Sequence, residues 1–366
     1  MTNVVSVALY FYRIGGAGGG AERMVCQLAS ALVNRGFDIH LITWDVEDAK
    51  SFYPIDPEVQ WTKLGFAPGR MDKFRRIRAL HAMLRRHDIK VLVGFVMSGD
   101  RTVFAAAKLA GVKLVAAERN APEMYRFRCS PLQLWATFRM LGLADRIAIQ
   151  IATYAAGYPQ YLHRRIVTIP NPVPIACQGA RPDAADATGR FTVLTVSRLD
   201  PVQKRIGCLV GAFSLVAQRF PCWHLRIIGD GPEEAALHRR ITECGLTGKV
   251  SIEPSTPEVY KAYSQSHLFA IPSLWEGFPN ALAEAMSHGL PAVGFAQAAG
   301  VSELIGPDGG WLAEGLDDEA ALAAALASAM ADGQERLMRG RSAKQQMRQF
   351  TPDQQYDRWA DLIRSL

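Results

Sequence analysis

Two cations six residues apart, Arg198 and Lys204, follow the strand-forming run Thr192–Val196. On a loop at the carboxyl end of a strand they can hold a diphosphate and stabilise the charge it gains when a bond to it breaks. Taken alone they read more readily as solvated loop charges. Two carboxylates, Glu276 and Glu284, lie in the segment 272–286, PSLWEGFPNALAEAM, after the apolar run Leu268–Ile271. A helix starting near Pro279 suits proline in its first turn and favours an anion at its N-terminus. Glu284 on that helix can accept hydrogen bonds from ribose hydroxyls, and Glu276 in the loop can face a sugar. Two glutamates at this spacing commonly mark a surface helix face. Trp275, Phe278, Leu282 and Met286 argue instead for burial, where a carboxylate needs a polar partner. A third cluster, Gly15-Gly16-Ala17-Gly18-Gly19-Gly20, precedes the helical pattern Ala21–Arg35 and reads as a phosphate cradle or a tight strand-to-helix turn.

The elements that position these groups alternate. Strands are expected at Val4–Tyr10, Ile39–Thr43, Val91–Phe95, Leu114–Ala117, Ile147–Ile149 and Ile166–Ile169. In the second half they are expected at Thr192–Val196, Leu225–Ile228, Val250–Ile252, Leu268–Ile271 and Ala292–Phe295, with helices between. This is the pattern of parallel sheets covered by helices on both faces. The stretch Pro170–Gly189 has no period and reads as a linker. Three segments follow: 1–174, an acceptor-binding Rossmann-like domain; 175–350, a nucleotide-sugar-binding Rossmann-like domain; and 351–366, a terminal helix packing back on the first. The expected fold class is α/β, two facing doubly wound domains with a ligand cleft at the carboxyl ends of their sheets.

With 366 residues, two lobes are expected, and 49% apolar with 21% charged residues excludes a disordered or fibrous chain. The six cysteines form no CxxC pair, so neither a zinc site nor a disulfide framework is indicated, and a reducing compartment is expected. No run of about 18 apolar residues spans a bilayer. The first residues lack the basic start of a signal peptide. Between Arg70 and Lys90, eight basic residues face only Asp72 and Asp88, which accounts for the chain's whole net charge of +6. Charge confined to one segment indicates a local anionic partner. Met71, Phe74, Ile77, Leu80 and Leu84 recur at helical spacing there, with arginines on the other faces. A helix Met71–His87 follows, either core-packed with a solvated basic side or lying against anionic lipid.

Taken in order, these motifs resemble family-4 glycosyltransferases of the GT-B fold. The carriers are Gly20-Ala21-Glu22-Arg23, Ile169-Pro170-Asn171-Pro172-Val173, Val196-Ser197-Arg198-Leu199 with Lys204, Ile228-Gly229-Asp230-Gly231-Pro232, and the pair Glu276 and Glu284. The resemblance implies that Gly15, Gly16 and Gly18 approach the donor diphosphate through main-chain N–H groups. It implies that Arg198 and Lys204 bind that diphosphate, that Glu284 holds the ribose and that Glu276 meets the transferred sugar. Gly229, Gly277, Phe278, Pro279, Asn280 and Ala281 would line the same donor site, with Arg198, Lys204 and Glu276 the catalytic set. Such enzymes retain the anomeric configuration and need no metal or other cofactor. Members commonly carry a histidine after the strand that here reads Leu114–Ala117. This chain has Glu118, Arg119 and Asn120 instead, which together with Arg75, Arg76 and Arg78 are the acceptor candidates.

The expected activity is transfer of a hexose or N-acetylhexosamine from a nucleotide diphosphate sugar, UDP-linked by preference, to a polyprenyl diphosphate-linked saccharide. It would act at the inner face of the plasma membrane in surface glycan synthesis. Alternatives are a GDP-mannose donor, a soluble acceptor, a UDP-sugar 2-epimerase, or a non-catalytic nucleotide-sugar binding subunit. No nucleic acid is expected as a partner.

Overall fold

A computed structural model describes residues 4–16, 19–65, 72–95 and 100–366. The chain divides into two compact units, Met1–Pro172 with Pro352–Leu366, and Val173–Thr351.

The first unit contains β1 (Ser6–Tyr10), α1 (Gly20–Val33), β2 (Asp38–Thr43), β3 (Gln60–Lys63), α2 (Lys73–Arg86), β4 (Val91–Phe95), α3 (Thr102–Ala110), β5 (Lys113–Ala117), α4 (Met124–Arg128), α5 (Pro131–Leu141), β6 (Arg146–Ile149), α6 (Gln160–His163) and β7 (Ile166–Thr168). Its strands form one sheet of order β3-β2-β1-β4-β5-β6-β7, with every pairing parallel. All five residues of β4 are buried, as a strand covered on both faces requires.

The second unit contains β8 (Phe191–Val196), α7 (Ile206–Val216), β9 (Trp223–Ile228), α8 (Glu234–Glu243), β10 (Val250–Glu253), α9 (Val259–Ser264), β11 (Leu268–Ile271), α10 (Asn280–Ser287), β12 (Ala292–Phe295), α11 (Val301–Ile305), β13 (Gly310–Ala313), α12 (Glu319–Ala331) and α13 (Gly333–Met347). Its parallel sheet runs β10-β9-β8-β11-β12-β13. The last helix, α14 (Pro352–Arg364), belongs to the first unit. There Tyr356, Trp359 and Ile363 join Val7, Val25 and Phe95 in one core.

The eleven expected strands all form, displaced by at most two residues at an end. Two further strands, β3 and β13, were not legible. Both lie at sheet edges and are four residues long. In β13 the signal is further weakened by Gly310, where a Cβ would sit 1.9 Å from the Ala292 carbonyl oxygen, so only glycine lets the strand approach β12.

The basic helix differs from expectation. Arg70 and Met71 lie outside the described residues. Its inward ridge is Arg76, Leu80 and Leu84, at four-residue steps, whereas Phe74 is 80% exposed. Arg76, expected as an exposed acceptor contact, is buried because Asp100 forms an ion pair with it and the Trp44 ring lies 4.6 Å beneath its guanidinium. Asp100 also accepts from the hydroxyls of Tyr10 and Thr102. Neither partner was visible in the helix pattern, since Asp100 follows β4. Arg75 and Arg78 remain exposed.

Candidate functional site

In the second unit β8 lies between β9 and β11. From β8 the chain winds outward to β9 on one side and later to β11 on the other, which makes the β8–β11 pair the topological switch point, the position where open α/β sheets bind ligands at their carboxyl ends. Arg198 and Lys204 sit on the first loop, Glu276 on the second.

Backbone and side-chain bonds hold the two loops together. Asp200 Oδ1 accepts the N–H groups of Val202 at 2.9 Å and Gln203 at 3.2 Å, which turns the chain before Lys204. Gln203 Nε2 donates to the Trp275 carbonyl at 2.9 Å, and Leu274 N–H donates to the Gln203 carbonyl at 2.9 Å. Arg205 closes the turn in the left-handed region, φ +53°, with its guanidinium on Asp317. Between these anchors Lys204 Nζ lies 2.6 Å from Glu276 Oε1, which also accepts from Ser273 Oγ at 2.7 Å. The pair is shielded, at 14% and 8% side-chain exposure. Arg198, six residues earlier, is exposed. The structure therefore joins Lys204 to Glu276, two residues that the sequence placed in separate roles.

The loop after β9 closes on this one. Gly229 takes φ +153°, and a Cβ there would lie 1.8 Å from the Ser197 carbonyl oxygen. The glycine thus has a packing reason at Ser197. Gly277, Phe278 and Pro279 are buried, with the Phe278 ring edge-on to Phe350. Asn280 opens α10, Ala281 follows it, and Glu284 in the second turn accepts from the Tyr263 hydroxyl at 3.1 Å. Gln203, Ser273 and Tyr263 were not singled out in the sequence. A hydroxyl three residues before a buried glutamate was the available signal for Ser273.

In the first unit the Gly15 N–H is occupied. Asp45 accepts it at 3.2 Å through Oδ1 and the Ile14 N–H at 3.0 Å through Oδ2. A donor phosphate at Gly15 would compete with a buried carboxylate, which corrects the expectation for that residue. Gly16 takes φ +111°, and Gly18 lies outside the described residues. After β5, Glu118 is buried and accepts from the Tyr125 hydroxyl; burial raises its pKa above the usual carboxylate value. The Arg119 guanidinium lies against the paired rings of Phe95 and Trp359, 5.8 and 5.9 Å from their centroids, and donates to Asn171 Oδ1 at 2.9 Å. Among the described residues its Nε and Nη1 find no hydrogen-bond partner, and burial pushes its pKa down to about 9. Asn120 is half-buried.

Residues 18–176 match the family described as Glycosyltransferase Family 4, and residues 190–332 match Glycosyl transferases group 1. The amylovoran biosynthesis glycosyltransferase AmsD of Erwinia amylovora is 26% identical over 94% of this chain and 96% of its own. A Campylobacter jejuni enzyme named as an undecaprenol-linked glycan alpha-1,4-N-acetyl-D-galactosaminyltransferase is 24% identical over 94% and 95%. Among solved structures, HepE from Anabaena, in complex with UDP and glucose, superposes with a TM-score of 0.80 at 18% identity over 99% of this chain and all of that one. Two all-parallel Rossmann-like sheets, cations and carboxylates at the β8–β11 switch point, and these matches agree on one conclusion: the chain is a glycosyltransferase and belongs to family 4, with the GT-B fold.

Proposed function

We propose that the protein transfers a hexose or N-acetylhexosamine, with retention, from a UDP-sugar to a lipid-linked glycan during surface polysaccharide or lipopolysaccharide assembly. The observation that carries this reading is the bonding of the Lys204 loop to the Glu276 loop at the switch point of the second unit. Arg198 and Lys204 would flank the donor diphosphate, and Glu284, in the second turn of α10, would accept a ribose hydroxyl. As the bond from the anomeric carbon to the diphosphate breaks, the two cations would stabilise the charge left on phosphate. The acceptor hydroxyl oxygen would form the new bond from the same face, and its proton would pass to the departing phosphate oxygen. The cations take the part a metal plays elsewhere.

The HepE complex with UDP and glucose supports the donor class. The name of the Campylobacter relative supports a polyprenyl-linked acceptor. In the first unit, Arg75 and Arg78 on α2 would meet the acceptor's diphosphate, with Glu118, Arg119 and Asn120 beside its sugar, and Arg76 is withdrawn from that set. Among the described residues no helix is long and apolar enough to cross a membrane. Contact with a bilayer would therefore be peripheral.

The reading is tested by melting the protein with UDP, GDP, ADP and their sugars. A ligand at a hundredfold its Kd adds about 2.7 kcal/mol of stability. UDP and its sugars should raise the melting temperature, and the stabilising UDP-sugar should be consumed when a polyprenyl diphosphate saccharide is added. Stabilisation by GDP-mannose alone would replace the donor, and consumption of the UDP-sugar with no acceptor would point to an epimerase.

A further inference from the structure

Helix α5 has a firmly set start. Ser130 Oγ accepts the Gln133 N–H at 3.4 Å, Gln133 Oε1 accepts the Ser130 N–H at 2.9 Å, and Pro131 occupies the first turn. Its inner side is packed: Thr137 and Leu141 are buried, and the Phe138 ring meets those of Tyr125 and Tyr158, each at 5.7 Å. Successive positions turn through about 100°. Leu132, Trp135 and Arg139 therefore share one strip on the opposite side. That strip is open to solvent, with Leu132 74% and Trp135 58% exposed, and Phe127 on the preceding α4 is 54% exposed. The Arg139 guanidinium lies 5.5 Å over the Trp135 ring. From Met124 to Ala144 the charged residues are Arg126, Arg128 and Arg139, with no acidic residue among them.

We infer that the exposed face of α4 and α5 seats the protein on an anionic lipid bilayer. Phe127, Leu132 and Trp135 would enter the acyl boundary, and Arg126, Arg128 and Arg139 would meet lipid phosphates. The charge selects the occupant. A segment bearing three arginines and, from Met124 to Ala144, no carboxylate complements a continuous layer of phosphates, and arginine stems lie along apolar surface while their heads reach phosphate. Tryptophan is suited to the same boundary, with an apolar body and one polar N–H. The inference rests on the reading of the acceptor as lipid-anchored, and it assigns bilayer contact to a surface distinct from the diphosphate-binding positions proposed on α2.

The test uses the full chain with phosphatidylcholine vesicles, with and without phosphatidylglycerol. The parent should sediment with the anionic vesicles only. The double variant Leu132→Ser, Trp135→Ser should lose about tenfold or more of that binding. Because both side chains are exposed, its melting temperature should be unchanged. Brominated lipid should quench tryptophan fluorescence in the parent and not in Trp135→Phe, which supplies a readout if the double variant fails to fold. Arg75→Gln with Arg78→Gln should weaken use of the lipid-linked acceptor and leave most vesicle binding in place. Equal vesicle binding by the parent and the Leu132, Trp135 variant would overturn the assignment. So would a parent that ignores vesicles and self-associates through this face, shown by a fall in its sedimentation coefficient on substitution. UDP-sugar turnover measured on the same samples separates the two proposals: its absence in a parent that still binds anionic vesicles would sink the transferase reading alone.

Discussion

Lys204 Nζ and Glu276 Oε1 are 2.6 Å apart, so the cation that follows β8 is neutralised by the carboxylate that follows β11. A donor diphosphate at Lys204 has to compete with this carboxylate or share the ammonium with it. Glu276→Gln removes the competing charge while keeping a group that can accept from Ser273. UDP should then raise the melting temperature of the variant more than that of the parent, although turnover falls. An equal or smaller UDP shift in Glu276→Gln would show that Lys204 does not bind the diphosphate.

Arg198 is exposed on the same loop, whereas Lys204 is shielded and paired with Glu276. If it stabilises the departing diphosphate, Arg198→Ala should lower kcat by about a hundredfold or more, on the order of losing one oxyanion donor. Near-parental kcat at saturating donor would remove it from the catalytic set.

Glu284→Ala should weaken UDP binding by about 1.5–3 kcal/mol, the range for a hydrogen bond to a charged group. Tyr263→Phe removes only the hydroxyl that donates to Glu284 and should cost less. Calorimetric titration of both variants with free UDP decides it. Unchanged affinity in Glu284→Ala places the ribose elsewhere.

The buried Arg76–Asp100 pair should matter to stability and hardly to donor binding. Removing one member leaves the other charged and enclosed, a loss of about 3–5 kcal/mol for a fully buried pair. Arg78→Ala, on the exposed side of the same helix, should stay within about 0.5 kcal/mol. Urea melts of the two variants give the comparison, and similar losses would mean that Arg76 is no anchor.

His267 gives the second unit an acid-sensitive point. Its Nδ1 accepts the Thr192 N–H at 2.9 Å, which requires an unprotonated nitrogen, and Nε2 lies 2.9 Å from the Ala184 carbonyl. Burial lowers its pKa below the ordinary value of 6.5. The unfolded chain takes up the proton first as pH falls, so this contribution is complete above about 6.5 and is lost progressively below it. Melting temperature between pH 7 and 5 should fall less in His267→Gln than in the parent. Parallel curves would rule out His267 as the origin.

Much of this architecture was readable because buried parallel strands are written as unbroken apolar runs: β4, β11 and β12 were placed to the residue by Val91–Phe95, Leu268–Ile271 and Ala292–Phe295. Edge position alone does not hide a strand, since the edges β7 and β10 were expected from Ile166–Ile169 and Val250–Ile252; Gln60–Lys63 escapes because Trp61 is its one apolar residue and its burial is partial. The chemistry-bearing types at the switch point were legible from the loops that follow β8 and β11. Their pairing was not, because Lys204 and Glu276 are 72 positions apart and meet only through adjacent strands. Periodicity misled at Arg76 for a related reason. A helix pattern ranks Phe74 as an inward residue, and only Asp100, just ahead of α3, makes an arginine the better fit.

Trp359, with Tyr356, Ala360, Leu362 and Ile363, completes a core whose other buried members are encoded before Pro172. During synthesis, Val7, Val25 and Phe95 leave the ribosome long before their partner. At about 5–20 residues per second, the stretch from Pro172 to Trp359 takes roughly 10 to 40 s to make. For that interval the nascent first unit carries an apolar gap where α14 will lie, while the second unit, continuous from Val173 to Thr351, has its whole sequence made before α14 begins. The later-made unit is thus the first able to finish folding, and the nascent chain's chaperone demand falls on its earlier half.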